Sequence, residues 1–252
     1  MNTNSNVYTV IYTTVVCVLV AAVLAFVSQS LKSRQADNEK AETISQILTA
    51  AQFGEKEHWQ EIGNAKTIEF FKENINGENT RIYSTSDLKT LNYKVKDGSV
   101  KEEELPRYVF NNGIVVLPVY GAGLWGPVWG YIAIADDYKT VTGAYFDHAS
   151  ETPGLGGKIK DDPAFRAQFA GKKVIYDGNG PLSIIKGGAP AGMENAVDAI
   201  TGATMTSKGL HEAIATWLNA YKDYIEDARE VGEAIVTIVN GIEKSGTNAQ
   251  EE

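Results

Sequence analysis

Asp198-Ala-Ile-Thr-Gly-Ala-Thr204 is followed by Met205-Thr206-Ser207 and then by a helical pattern. This order sets a hydroxyl beside a tight Gly-Ala turn where a helix begins. Backbone N–H groups at a helix N-terminus point outward and carry partial positive charge, which favours an anion such as phosphate. Thr204 can serve there as a cap, as a phosphate contact or as the attachment point of a phosphate ester. An ordinary N-cap uses the same residue types, because Thr, Ser and Asp oxygens accept the orphan N–H bonds. Taken alone, the string leaves these roles open.

Two glycine-rich stretches precede it. Gly121-Ala-Gly-Leu-Trp-Gly126 lies between strand-like runs; its glycines allow tight turning or close backbone approach, and Leu124 and Trp125 offer apolar surface. The plain alternative is a hairpin turn with a core Trp. It is not a dinucleotide fingerprint, since the glycine spacing differs and no helix follows. His148-Ala-Ser-Glu-Thr-Pro-Gly-Leu-Gly-Gly157 runs into Lys158. A loop with a projecting Leu155, polar Glu151 and Thr152, and bare backbone suits the face of a planar heterocycle. The competing reading makes Glu151 and Lys158 solvated charges, Leu155 a packing residue and His148 a surface side chain. His148 has no His or Cys partner at ligand spacing, so no metal site is expected.

The elements that must position these loops follow from composition and periodicity. The 252 residues are 43% hydrophobic and 22% charged, with a formal charge of −9. That is globular composition with an acidic surface, which argues against nucleic acid as a partner. The only cysteine, Cys17, excludes a disulfide framework, a zinc site or a cysteine iron–sulfur site within the chain. Val7 to Val27 holds no charged residue and is long enough for a membrane span, with Tyr8 and Tyr12 suited to one interface and Lys32 and Arg34 to the other. A cleaved signal peptide is the rival, since Ala21-Ala-Val-Leu-Ala25 is cleavable; the uncharged Met1–Asn6 and the long apolar run favour a retained anchor. The basic residues after the span would, counted literally, put the large part in the cytoplasm, but Asp37, Glu39 and Glu42 dilute them.

The sequence therefore divides into an N-terminal tail (1–6), a transmembrane helix (7–27), a helical connector and start of the soluble domain (28–95), an α+β domain with an antiparallel sheet (96–230) and a C-terminal helix and tail (231–252). In the connector, 28–50 continues the anchor as helix and 53–75 forms one further helical piece, while Val95–Gly98 reads as turn chemistry around a short strand. Tyr108–Phe110, Ile114–Tyr120, Val128–Ala135 and Val141–Phe146 read as an antiparallel meander. A helix at Asp162–Phe169 begins with Pro163. Lys173–Tyr176 and Leu182–Lys186 read as short strands, and an amphipathic helix runs from Ser207 to Arg229.

Gly123-Leu-Trp-Gly126, His148-x-x-Glu-Thr-Pro-Gly-Leu-Gly156 and Asp198-x-x-Thr-Gly-Ala-Thr204, in this order after one N-terminal span, resemble the FMN-binding domain family of the membrane electron-transport complexes. The resemblance is to the C-subunit branch of the sodium-translocating NADH:quinone oxidoreductases and extends over essentially the whole chain. It implies that Thr204 carries FMN covalently through a phosphoester. It also implies a separate flavin transferase, recognising the motif that includes Asp198 and Thr201, and a domain on the periplasmic side of the inner membrane. Gly202, Ala203, Met205 and Thr206 would then shape the phosphate site, with hydroxyl bonds from Thr206 and Ser207. Leu155, Thr152 and Glu151 would border the ring, and Leu124 and Trp125 would make further contacts. Thr204 is a tether in this reading, and no residue is assigned a catalytic role. The implied partners are membrane subunits bearing an iron–sulfur centre and a second flavin, on a route from NADH to ubiquinone coupled to sodium export. Neither an NADH site nor a sodium path is read in the chain itself. The alternatives are the G subunit of the ferredoxin:NAD oxidoreductase complex and a cofactor-free, membrane-anchored assembly module.

Overall fold

Near-continuous burial along three long strands shows a sheet covered on both faces. In the computed structural model, which describes residues 6–76, 81–174 and 180–234, strands β1 (Tyr108–Val109), β2 (Val115–Ala122), β3 (Pro127–Ile134) and β4 (Val141–His148) pair in that order. All three pairings are antiparallel. Tyr120 lies opposite Trp129, and Trp129 opposite Asp147. Val115, Leu117 and Val119 pack on one face of β2, while Val116 packs on the other, as a period of two requires. The fold is thus a long apolar N-terminal helix followed by an α+β domain with an antiparallel sheet.

Helix α1 (Asn6–Ala50) is one continuous element, and it is long and apolar enough to cross a membrane. Its apolar part is exposed, whereas Ile44, Ile47, Leu48 and Ala50 are buried against the sheet. Gln46 Nε2 donates to Asp147 Oδ2 at 2.9 Å, while Ala50 and Gln52 lie against Gly143. Rising residue numbers on α1 meet falling numbers on β4, so the two run antiparallel. The end of β4 and the β2–β3 turn therefore project back along α1 toward its apolar stretch.

The connector differs from expectation in two places. The piece at 53–75 is two helices, α2 (Lys56–Ile62) and α3 (Asn64–Asn74), broken at Gly63, whose φ of 84° no helix interior adopts. Val95–Gly98 is not a turn around a strand but the end of helix α4 (Thr85–Asp97), closed by Gly98. Ser84 and Asp87 form a reciprocal capping box at its start, and Leu88, Asn92 and Val95 form its buried stripe.

Two short helices follow β4: α5 (Lys158–Asp161), which no sequence pattern indicates, and α6 (Pro163–Ala167), whose Asp162 cap accepts from Ala164 N–H at 3.0 Å. Lys173 makes an isolated bridge to Thr140, and the rest of the expected strand falls partly outside the described residues. Strands β5 (Ser183–Ile185) and β6 (Ala196–Asp198) form a separate parallel pair; the three residues of β6 are too few to show a period. Helix α7 (Thr204–Ala220) starts three residues earlier than its amphipathic pattern, and residues 222–234 are helical after an irregular Tyr221. The expected C-terminal tail lies outside the described residues from 235 onward.

Candidate functional site

Helix α7 is seated on the sheet by close backbone approach. A Cβ on Gly209 would overlap the carbonyl of Ala122, and one on Gly121 would stand 2.6 Å from the Ala213 Cβ. Leu210, Ile214, Trp217 and Leu218 fill the space between. This contact brings the first turn of α7 to the β2–β3 turn.

The turn from Asp198 to Thr204 is held locally. Ala203 N–H donates to Ile200 O at 3.1 Å, and Ser207 Oγ accepts from Ile200 N–H at 3.1 Å. Gly202 has φ of 82°, a left-handed conformation that disfavours a side chain, and a Cβ there would press on Leu155. Ala203 is the N-cap residue without a side-chain cap, and Ser207 N–H closes the first helical turn on Ala203 O at 2.9 Å. The N–H groups of Thr204, Met205 and Thr206 precede it, at the positions a helix leaves without intrahelical acceptors. Thr204 is exposed, so its hydroxyl is open to chemistry. Thr201 is exposed too, and Asp198 Oδ1 accepts from Ala189 N–H at 2.7 Å, tying β6 to the 187–190 turn.

Around Thr204 the chain leaves large apolar side chains in solvent. Trp125 is 67% exposed, and Leu124, Leu155 and Met205 are each about half exposed. The three segments expected to meet do meet: the 121–126 turn, the 148–157 loop and the start of α7. Thr152 is exposed, and its carbonyl accepts from Leu155 and Gly157 N–H, which shapes the loop that presents Leu155. Trp125 is not the core residue of an ordinary hairpin.

Glu151 and Thr206 are placed differently from expectation. Glu151 is only 4% exposed, and Thr206 is fully buried. Thr206 Oγ1 donates to Glu151 Oε2 at 2.6 Å, and Trp125 N–H donates to Glu151 Oε1 at 2.9 Å. The Glu151 carboxylate therefore lies beneath the rim instead of bordering it, and the Thr206 hydroxyl is committed inward. Ser207 is buried with its hydroxyl on Ile200, so it offers nothing to a phosphate either. Three supporting contacts escape sequence reasoning. His148 Nδ1 accepts from Glu151 N–H at 3.1 Å, Ser150 Oγ donates to Trp125 O at 2.9 Å, and Gly123 and Gly156 make room for the carboxylate. The only signal for them is the glycine spacing.

A phosphate-bearing planar group fits what is here: outward N–H groups at a helix start, an exposed hydroxyl among them and apolar walls on neighbouring loops. The family model of the FMN-binding domain matches residues 123–219, from the first glycine loop to near the end of α7. The C subunit of the Na+-translocating NADH-quinone reductase of Vibrio anguillarum is 45% identical over 105 residues, covering 41% of either chain. That of Yersinia pestis is 44% identical over 120 residues, covering 46% of this chain and 44% of its own. These alignments span less than half the length of the curated relatives they match. Among solved structures, NqrC of Shewanella oneidensis, 23% identical, shares the fold with a TM-score of 0.55 over 77% of this chain and 99% of its own. The C subunit of the Na+-translocating NADH-quinone reductase from Parabacteroides distasonis is similar over 77% of this chain and 96% of its own, with a TM-score of 0.63 and 30% identity. With that protein matched almost end to end, the chain belongs to the C-subunit family of the Na+-translocating NADH-quinone reductases.

Proposed function

We propose that this chain is a membrane-anchored electron carrier whose FMN is esterified to Thr204. The observation that carries the reading is the exposed Thr204 at the first residue of α7, where the two loops that expose Leu124, Trp125 and Leu155 come together with exposed Met205. Bound FMN supplies a ring that exchanges one or two electrons and so joins one- and two-electron carriers. The backbone and side chains of this chain do the remaining work. N–H groups of Thr204, Met205 and Thr206 face the phosphate side. Leu155, Leu124 and Trp125 offer apolar surface to the ring, and the left-handed Gly202 keeps the turn free of a side chain beside Leu155.

Attachment balances simply. The Thr204 oxygen bonds to the FMN phosphorus of FAD, the pyrophosphate P–O bond breaks, AMP leaves and the hydroxyl gives up its proton. A flavin transferase reading Asp198 and Thr201 catalyses this step on the periplasmic side of the inner membrane. Residues 7–27 cross that membrane, residues 28–95 connect, and the flavin domain occupies 96–230. From Val27 to Gln46, α1 provides about 28 Å of helix at 1.5 Å per residue. The glycine loops project back from the Gln46 level toward the apolar stretch, which supports electron exchange with membrane-embedded subunits. Those partners carry an iron–sulfur centre and another flavin, on the route from NADH to ubiquinone that drives sodium export.

Thr204→Val tests the tether. After co-expression with the transferase, the parent chain should gain the mass of FMN less one water on the peptide bearing Thr204, and its denatured band should fluoresce under ultraviolet light. The variant should lose both while its stability stays within about 0.5 kcal/mol, as for an exposed surface change. A colourless parent chain, or a Val variant that keeps the adduct, would overturn the proposal.

A further inference from the structure

Glu151 is a buried carboxylate for which the flavin reading supplies no contact, yet it reaches both glycine loops and the first turn of α7. Its Oε1 accepts from the backbone of Trp125 and its Oε2 accepts from the hydroxyl of Thr206. A Cβ on Gly123 would collide with Oε1, and one on Gly156 would stand 2.5 Å from both Oε2 and Thr206 Oγ1. Trp125 itself, Leu124 beside it, Leu155 next to Gly156 and Met205 next to Thr206 are the exposed apolar side chains of the rim. One anionic group thus sits at most one residue behind each of them. Burying a carboxylate is costly unless donors satisfy it, and here two bonds and the N-terminal end of the α7 dipole do so.

We propose that Glu151 is the positioning residue of the flavin cradle: it clamps both glycine loops to the first turn of α7 and holds a negative charge behind the ring. This rests on the FMN reading above. The two consequences separate by substitution. A negative charge near the ring opposes addition of an electron, so the charge lowers the flavin's midpoint potential. The clamp depends on reach instead, since only a side chain of this length joins Trp125 N–H to Thr206.

Glu151→Gln keeps the length; its carbonyl can accept from Trp125 N–H, and its amide can donate to the Thr206 oxygen. Glu151→Asp keeps the charge and loses the reach. Both are compared with the parent in the full-length chain matured with the transferase, with circular dichroism to verify folding. The Gln variant should retain flavin loading while redox titration shows its midpoint potential moved to more positive values. The Asp variant should show lower flavin fluorescence anisotropy, the sign of a looser ring. Should the Asp variant fail to fold, Thr206→Val removes one of the two bonds with little change in shape and should loosen the ring likewise. An unchanged potential in the Gln variant, or parental anisotropy in the Asp or Val variant, would overturn the proposal. Flavin missing from the parent chain would instead sink the FMN reading.

Discussion

On the α7 side of the sheet the core is mostly aliphatic: Val115, Leu117, Val119, Ile132 and Ile134 meet Leu210, Ile214 and Leu218 around Trp217. On the α1 side it is aromatic: Trp59, Phe71, Tyr108, Phe110, Tyr131 and Tyr145 surround Ile44, Ile47 and Leu48. The polar contacts divide in the same way. Behind the α7 side lies the Glu151–Thr206 pair under the rim. On the α1 side, Gln46 bonds both Asp147 and Trp129 Nε1, and Lys160 pairs with Asp147 at 2.8 Å. One face places a helix directly on the sheet, through Gly121 and Gly209; the α1 face has one such approach, at Gly143, at the end of its helix. The other fastens the domain to its anchor through large rings, which bury more area per residue.

The sharpest way to break this division is to remove the largest buried side chain of the α7 face. Trp217 is fully buried, and its Nε1 donates to Asn92 Oδ1 at 3.0 Å. Trp217→Ala should cost about 3–5 kcal/mol from lost burial and the cavity left behind, read as a drop in the urea midpoint. Because α7 carries both the core and Thr204, covalent flavin should fall together with stability. A variant that is destabilised but fully flavinylated would show that the α7 face does not set the site.

Gln46 probes the opposite face. Gln46→Ala leaves Asp147 Oδ2 without that donor in a buried setting, at about 1–3 kcal/mol. Covalent flavin should stay at the parent level, because Gln46 holds Asp147 and Trp129 and not the rim. Loss of flavin would mean that the anchor contact governs the loops and would erase the distinction between the faces.

What can be read in the sequence follows the range of the interaction responsible. The Asp198–Thr204 motif, the two glycine loops and the three long strands of the meander are local patterns, and each is visible within ten residues. The clamp joins Glu151 to Thr206, 55 residues apart, and no local pattern announces such a pair; a charged residue in a loop reads as solvated or ligand-facing. Helix α4 is legible in principle from Ser84 and Asp87, but its stripe of Leu88, Asn92 and Val95 includes a polar residue that blurs the period. Strand β6 exists because β5 pairs with it, which is a tertiary fact. The direction of α1 relative to β4, which turns the loops toward the apolar stretch, depends likewise on Gln46 meeting Asp147.

The tyrosines offer the finest comparison. Burial raises the pKa of Tyr108, Tyr131 and Tyr145 on the α1 side and of Tyr221 on the α7 side, and it does the same for Tyr224 beside it. Each hydroxyl then holds its proton to higher pH in the folded chain than in the unfolded one, where tyrosine titrates at about 10. Their stabilising contribution is fully present below that value and is lost as pH rises from there toward the folded-state values. Each fully buried group should subtract about 1.4 kcal/mol per pH unit in that window; Tyr224, only partly buried, subtracts less because water screens it. Tyr221→Phe gives up the 2.7 Å bond to Pro106 O but should remove one group's share of the alkaline slope in urea midpoints measured from about pH 9 to 11. Replacing Tyr108, Tyr131 and Tyr145 together should flatten that slope more than replacing Tyr221 and Tyr224. The reverse order would mean that the aromatic face opens to water before its hydroxyls ionise, and that the firmer of the two faces is the one that carries the flavin.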